Sequence, residues 1–210
     1  MTMSGLETLD VGQANELKFA FHRNGWTDKD IKGICEGDIL ADIRRVIHGY
    51  AEIQEIKHVI DCDADSFVPE GWTVEEHQKG GLFRWDSAQV RFYLSDAQKG
   101  EGTIEGPELR AELVGKPVLN ANVPDYLFTH QHLLFDPRSD LREWRGKIIL
   151  FLGTVYRDQD GDLMVRSQYL QEAEGEGSRW EFGYWHLTSR HGYNCQIYVA
   201  LRADVPDETV

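Results

Sequence analysis

Cysteine is scarce in this 210-residue sequence, and long apolar runs are lacking. Cys35, Cys62 and Cys195 form no CxxC pair, which argues against a disulfide framework and against a cysteine-rich zinc site. No apolar run approaches the roughly 18 residues that a membrane span needs. Residues 1–15 lack the basic start and apolar stretch of a signal peptide. We therefore expect reduced thiols, a cytoplasmic location and no membrane association.

Positive charge is also in short supply. The sequence has 22 Lys and Arg against 36 Asp and Glu, which gives a net charge of −14, and the acidic excess extends along the whole chain. Because sequence-independent binding to nucleic acid requires a basic face, direct DNA or RNA binding is disfavoured. An acidic surface suits solubility, a basic protein partner, or occupation of a nucleic-acid groove by mimicry.

Residues 1–52 are predicted to form a unit of three short helices. The first ends at Asn24-Gly25, and Thr27 caps the second. Asp38 is expected to cap the third helix, which ends at Gly49. The apolar residues of this helix recur at helical spacing: Ile39, Leu40, Ile43, Val46 and Ile47.

The rest of the chain is predicted to be an α+β region in two parts. Residues 53–145 combine strand patterns with two helices, one starting at Gly106-Pro107 and one running from Asn122 or Val123 to Leu134. Residues 146–210 are predicted to be antiparallel β, with a hairpin around Asp160-Gly161. Its strands are expected to form a small SH3-like barrel or a curled sheet.

Three alternating carboxylates are the most unusual local feature. Asp61, Asp63 and Asp65 would share one face of an extended segment, where like charges repel unless a cation or water relieves them. Their spacing matches the first three ligands of an EF-hand loop. The match then fails, because the sixth position is Ser66 instead of glycine and the twelfth is Trp72 instead of glutamate.

Two interpretations of these acids remain open. Asp61, Asp63 and Asp65 could bind Mg, Mn or Ca together with His58, which would allow a metal-dependent hydrolase or nuclease. The simpler alternative is a strand end that enters a turn, where aspartates bond to local backbone amides.

Aromatic residues cluster near the C-terminal end of the chain. In a strand, Trp180, Phe182 and Tyr184 share one face, which is usually core, while Trp185 lies on the opposite face. Trp185 is therefore the leading candidate to anchor a ligand or partner, with Trp180 and Tyr184 as further candidate binding residues.

Several sequence blocks are distinctive as a set. The blocks are Gly25-Trp26-Thr27, Cys35-Glu36-Gly37-Asp38-Ile39-Leu40, Ile60-Asp61-Cys62-Asp63-Ala64-Asp65, Gly71-Trp72, Val74-Glu75-Glu76-His77, Val118-Leu119-Asn120-Ala121-Asn122-Val123 and Gly153-Thr154-Val155-Tyr156-Arg157. Together they resemble a family of uncharacterised proteins widespread in candidate-phylum bacteria and their mobile elements. The resemblance covers most of residues 16–187, and no activity comes with the family.

These observations favour a non-catalytic, cytoplasmic protein-interaction module of mobile-element or phage origin. Two alternatives come from other classes of function. One is the metal-dependent hydrolase centred on Asp61, Asp63 and Asp65, and the other is an acidic nucleic-acid mimic that inhibits host or defence machinery. No catalytic motif is recognised, so enzymatic activity is left open.

Overall fold

The computed structural model describes residues 10–54, 56–134, 144–173, 177–188, 193–194 and 196–203. It divides into two compact units, a helical unit, Met1–Ile56, and a sheet unit, Lys57–Val210. The predicted α+β class is confirmed. Strands on the two sides of the predicted boundary between residues 145 and 146 pair in one sheet. Cys195 lies outside the described residues.

The helical unit contains the three predicted helices. They are α1 Val11–Arg23, α2 Asp28–Cys35 and α3 Ile39–Ile47. Asp10 caps α1 by accepting a bond from the backbone of Gln13, and Thr27 caps α2 by accepting one from Asp30. Asp38 precedes α3 as predicted but makes no capping bond with its side chain.

Eight strands form two sheets among the described residues of the sheet unit. They are β1 Val59–Asp61, β2 Thr73–His77, β3 Leu82–Arg84, β4 Val90–Tyr93, β5 Ile148–Arg157, β6 Leu163–Ala173, β7 Gly177–His186 and β8 Ile197–Arg202. β1 and β3 pair with each other, and the other six form one sheet in the order β4-β8-β5-β6-β7, with β2 also paired to β5.

The six-stranded sheet is open, with β4 and β7 at the ends of its main path, so the predicted barrel is wrong. It is also not purely antiparallel. β5 and β8 run parallel, with Ile148 opposite Ile197. The β5–β6 hairpin is confirmed, with Gly161 at φ 88° in its turn, a backbone angle that glycine adopts without steric cost.

In the described part of this unit, two α-helices cover the central sheet. They are α4 Gly106–Glu112 and α5 Asn122–Thr129, and a short 3₁₀ helix, Gln131–Leu134, follows α5. The predicted helix to Leu134 is therefore interrupted at His130, whose φ of −123° and ψ of 47° are not helical. No helix in the described ranges is long and apolar enough to cross a membrane.

Strand β5 passes through the middle of the core. Ile149 and Phe151 belong to one hydrophobic cluster together with residues of α5, while Leu150 and Leu152 belong to a second cluster with residues of α4. Since successive strand residues point to opposite faces, the sheet is covered on both sides. This explains why β5 is buried from Ile149 to Tyr156 and carries so few polar residues.

Candidate functional site

The acidic loop lies where β1 ends. Strand geometry stops at Asp61, so Asp63 and Asp65 do not continue the alternation that would place all three acids on one face. Asp61 Oδ1 accepts a bond from the backbone N–H of Asp63, and Asp63 Oδ1 accepts one from that of Gly81, both at 2.9 Å. Asp61 therefore bonds to a local amide, as aspartates commonly do in turns, while Asp63 bonds to an amide 18 positions away in the sequence.

His58 lies among other aromatic rings. Its Nδ1 is hydrogen-bonded to the Tyr126 hydroxyl at 3.0 Å, and its ring centroid is 5.7 Å from that of His130 and 5.5 Å from that of His132. Burial, followed by the neighbouring His132 and His130, lowers the pKa of His58.

The structure does not assemble the predicted metal site. Within the described part of the chain, no group of three or more His, Cys, Asp or Glu side chains is arranged to hold a metal ion. Asp61 and Asp63 each accept a backbone N–H bond through Oδ1, while His58 is hydrogen-bonded to Tyr126.

Two asparagines hold the acidic loop in place. Asn122 Nδ2 donates to the carbonyls of Asp61 and Ala64 at 2.9 and 2.8 Å. Buried Asn120 donates from Nδ2 to the Cys62 carbonyl at 2.7 Å and to the Gln78 carbonyl at 2.9 Å. The start of α5 therefore fixes the course of the chain after β1.

The predicted binding aromatics on β7 are packed to different degrees. Trp180 is only 4% exposed and packs against Trp144, so it has too little free surface to contact a partner. Trp185 is half-buried against the cluster that contains Leu150. Tyr184 is also half-buried, but it borders a polar site that the sequence did not predict.

This site is built on an ion pair inside the sheet unit. Arg166 of β6 donates from Nε to Asp125 Oδ1 of α5 at 2.7 Å, and its Nη2 contacts the same oxygen. The two side chains are 11% and 20% exposed. Burial raises the pKa of Asp125 and outweighs the opposing effect of Arg166.

Tyr184 contacts the pair and belongs to a cluster of three aromatic rings. The Arg166 guanidinium lies 4.6 Å from the centre of the Tyr184 ring, a cation–π contact. The Tyr184 ring lies 4.7 Å from that of Trp72 and 5.6 Å from that of Tyr156. Burial raises the pKa of Tyr156 to about 12, so its phenol stays protonated at neutral pH.

Four oxygens around the pair have no hydrogen-bond partner among the described residues. They are Ser66 Oγ, Asp125 Oδ2, Tyr156 Oη and Tyr184 Oη. Ser66 lies next to Tyr156 but makes no bond of good geometry with it. Buried polar atoms in folded proteins are normally paired with protein, ordered water or a ligand, so this group has unused capacity to bind a polar molecule.

Some residues of this site could be singled out from the sequence. Trp72 and Tyr156 belong to the blocks quoted for the family resemblance, and Ser66 and Asp125 lie just beyond two other blocks. Arg166 is a further signal, because a charged residue within a predicted strand requires a partner wherever that strand is buried.

The helical unit presents a different kind of surface. None of its three helices contains a buried residue. Ile47 is 75% exposed and Phe19 is 65% exposed. The large apolar side chains exposed in this unit are Val11, Leu17, Phe19, Trp26, Ile39, Leu40, Ile43, Ile47, Tyr50, Ile53 and Ile56. Exposed apolar side chains in this number mark an interaction surface more often than ordinary solvent-facing structure.

Comparison with known proteins gives no match to a family model, to a curated protein or to a solved structure.

Proposed function

We propose that this chain is a non-catalytic protein-interaction module whose helical unit carries the contact surface. The observation that carries the proposal is that α1, α2 and α3 bury no residue, while their large apolar side chains are exposed. An amphipathic helix normally buries its apolar face against another element. A partner protein that covers these faces supplies the missing burial.

The length of the helices supports the same proposal. α1 has 13 residues, α2 has 8 and α3 has 9. Isolated helices this short are marginal in water, and their stability comes mainly from packing of an apolar face. Contact with a partner would therefore stabilise the helices as well as bind the two proteins together.

The sequence of α3 indicates which side chains would contact the partner. Ile39, Ile43 and Ile47 are spaced by four residues, so they form one stripe along the helix, and all three are exposed. Asp38 and Asp42 lie at the start of this helix, in a chain with a net charge of −14. The best-matched partner has an apolar groove with basic residues at its rim.

We also propose that the module acts in the cytoplasm. Cys62 is a free thiol in the structure, and Cys35 is both free and exposed, as is usual in a reducing compartment. The family resemblance, the mobile-element or phage origin and the nucleic-acid-mimic alternative stay predictions. The hydrolase alternative lacks comparable support, because no group of three or more His, Cys, Asp or Glu side chains among the described residues is arranged to hold a metal ion.

The proposal is tested by weakening the stripe on α3. The wild-type chain is used to capture partners from a lysate of its native host, and the captured protein is purified and titrated by calorimetry. The double variant Ile43→Asp, Ile47→Asp should bind at least about 30-fold more weakly, as expected when central contact residues are lost.

A matched control separates a specific contact from general loss of exposed apolar area. Val114 is 83% exposed and lies in the sheet unit, so Val114→Asp should bind like the wild type. The proposal fails if the α3 variant binds as tightly as the wild type. It also fails if the wild type retains no partner.

A further inference from the structure

Strand β7 forms one end of the six-stranded sheet. It pairs with β6 without a break in register, from Gly177 opposite Ala173 to His186 opposite Met164. No other strand among the described residues pairs with β7. Because backbone groups in an antiparallel strand point alternately to its two sides, every second residue of β7 presents an N–H and a C=O along an edge that lacks a strand partner.

The side chains that bond to the backbone of β7 do so in its C-terminal half. Arg166 Nη1 donates to the Gly183 carbonyl at 3.5 Å, and the Tyr193 hydroxyl donates to the His186 carbonyl at 2.8 Å. The stretch from Gly177 to Phe182 receives no such bond from the described residues. This stretch is therefore the part of the edge that is open to a further strand.

The usual protection of an edge strand is lacking in β7. Natural proteins protect sheet edges against pairing with another chain by short strands, by lysine or proline, or by a β-bulge. β4, at the other end of the main path, has 4 residues. β7 has 10 residues, contains neither Lys nor Pro, and pairs with β6 without a bulge. It is long and regular enough to accept another strand.

The charges of β7 complement each other. Arg179 is its only Lys or Arg, and Glu181 is its only Asp or Glu. The two lie two residues apart on the same face of the strand, and their side chains are 75% and 27% exposed. In a chain with a net charge of −14, β7 therefore carries no excess of acidic side chains that would repel a second β7.

We propose that β7 pairs antiparallel with β7 of a second copy of this chain, about a two-fold axis at Trp180. In this register Arg179 of each copy lies opposite Glu181 of the other, so the symmetric interface contains two pairs of opposite charge. The Trp180 ring stays packed against Trp144, because the two strands join through their backbones.

An exposed aromatic side chain beside β7 adds apolar surface to this interface. Phe128 of α5 is 54% exposed, and its ring centroid lies 5.4 Å from that of Phe182 in β7. A second copy at the edge covers part of this ring pair, which favours association. The paired region is shorter than a standard protein interface, so the dimer is weak, with a Kd on the order of 10–100 μM.

Sedimentation velocity of the full-length protein over about 1–500 μM tests the proposal. The wild type should show a concentration-dependent equilibrium of monomer and dimer. Arg179→Glu and Glu181→Arg each place like charges opposite one another, so each variant alone should dimerise about tenfold more weakly or less. An equimolar mixture of the two variants should dimerise like the wild type, because a carboxylate again faces a guanidinium at both positions.

A matched control separates this register from a general effect of charge. Lys99→Glu changes the net charge by as much as Arg179→Glu does, and Lys99 pairs with Asp96 outside β7. This control should dimerise like the wild type. Circular dichroism of each variant checks that it is folded, and the exposure of both substituted side chains in β7 makes a folding defect unexpected.

Three results would overturn the proposal. The first is a wild type that stays monomeric at every concentration. The second is a loss of dimer that is equal in Arg179→Glu and Lys99→Glu, and the third is a variant mixture that fails to restore the dimer. The double variant Ile43→Asp, Ile47→Asp should keep the wild-type dimer, and dissociation of this variant would instead assign self-association to the helical unit. The outcome is therefore distinguishable from that of the proposed partner contact.

Discussion

Arg166 and Asp125 lie 41 positions apart in the sequence, and the Arg166 Nε donates to Asp125 Oδ1 at 2.7 Å inside the sheet unit. This bond ties β6 to α5. Loss of the arginine leaves a buried carboxyl without a cation, so Arg166→Met should lower the free energy of unfolding by about 3–5 kcal/mol. Asp125→Asn should cost less, because its amide oxygen can still accept from Arg166. Urea denaturation of both variants measures the difference.

The exposed pair of Arg157 and Glu75 provides the control for that experiment. Arg157 Nε donates to Glu75 Oε1 at 2.7 Å, but the two side chains are 44% and 38% exposed. Water and salt screen such a pair, so Arg157→Met should destabilise the protein much less than Arg166→Met. Equal losses in the two variants would contradict the structural role given to the buried pair.

Asp125 should also make stability depend on pH. Because burial raises its pKa, the folded protein holds this proton more tightly than the unfolded chain does. The free energy of unfolding should therefore fall as pH rises from about 4, the ordinary carboxyl value, through the folded-state pKa. Urea denaturation of the wild type and of Asp125→Asn across this pH range tests the direction of the change in stability. The difference between the two proteins should change with pH, and a constant difference would contradict the raised pKa.

Asn120 should matter more for stability than its neighbour Asn122. Each donates two bonds to backbone carbonyls, but Asn120 is 1% exposed and Asn122 is half-buried. Asn120→Ala leaves the carbonyls of Cys62 and Gln78 without this donor, out of reach of water, at a cost of about 2 kcal/mol or more. In Asn122→Ala, water can replace the lost donor. Similar melting temperatures for the two variants would count against this account.

His58 should titrate below the usual histidine range. Burial, His132 and His130 lower its pKa, so the folded state favours the neutral ring. Its contribution to the free energy of unfolding should be lost as pH falls from about 6.5, the unfolded value, through the folded-state pKa. His132→Gln removes one of the two neighbouring histidines and should raise the pKa of His58 in an NMR titration. An unchanged value would rule out the influence of His132.

Local features of the fold could be predicted from the sequence, because they depend on neighbouring residues. Thr27 marks the start of α2, and Asp160-Gly161 marks the turn between β5 and β6. The β2 strand was missed, because Glu75 and Glu76 interrupt its apolar pattern and its partner β5 lies far away in the sequence. The parallel pairing of β5 with β8 also depends on contacts between distant segments.

The candidate site was harder to predict than the fold. The alternating acids Asp61, Asp63 and Asp65 share one face only if the strand continues through all of them. Strand β1 ends at Asp61. The pairing of Arg166 with Asp125 follows from packing α5 on the sheet, which no local pattern encodes. A site formed by segments that are distant in the sequence could therefore be identified only from the structure.

Hydrogen–deuterium exchange of the purified chain, with and without its captured partner, tests the proposed contact most directly. If the apolar faces of α1, α2 and α3 bind the partner, amide exchange in these helices should slow about tenfold or more on binding. Exchange in the buried strand β5 should stay unchanged. Slower exchange confined to the sheet unit, or no change in any segment, would contradict the account.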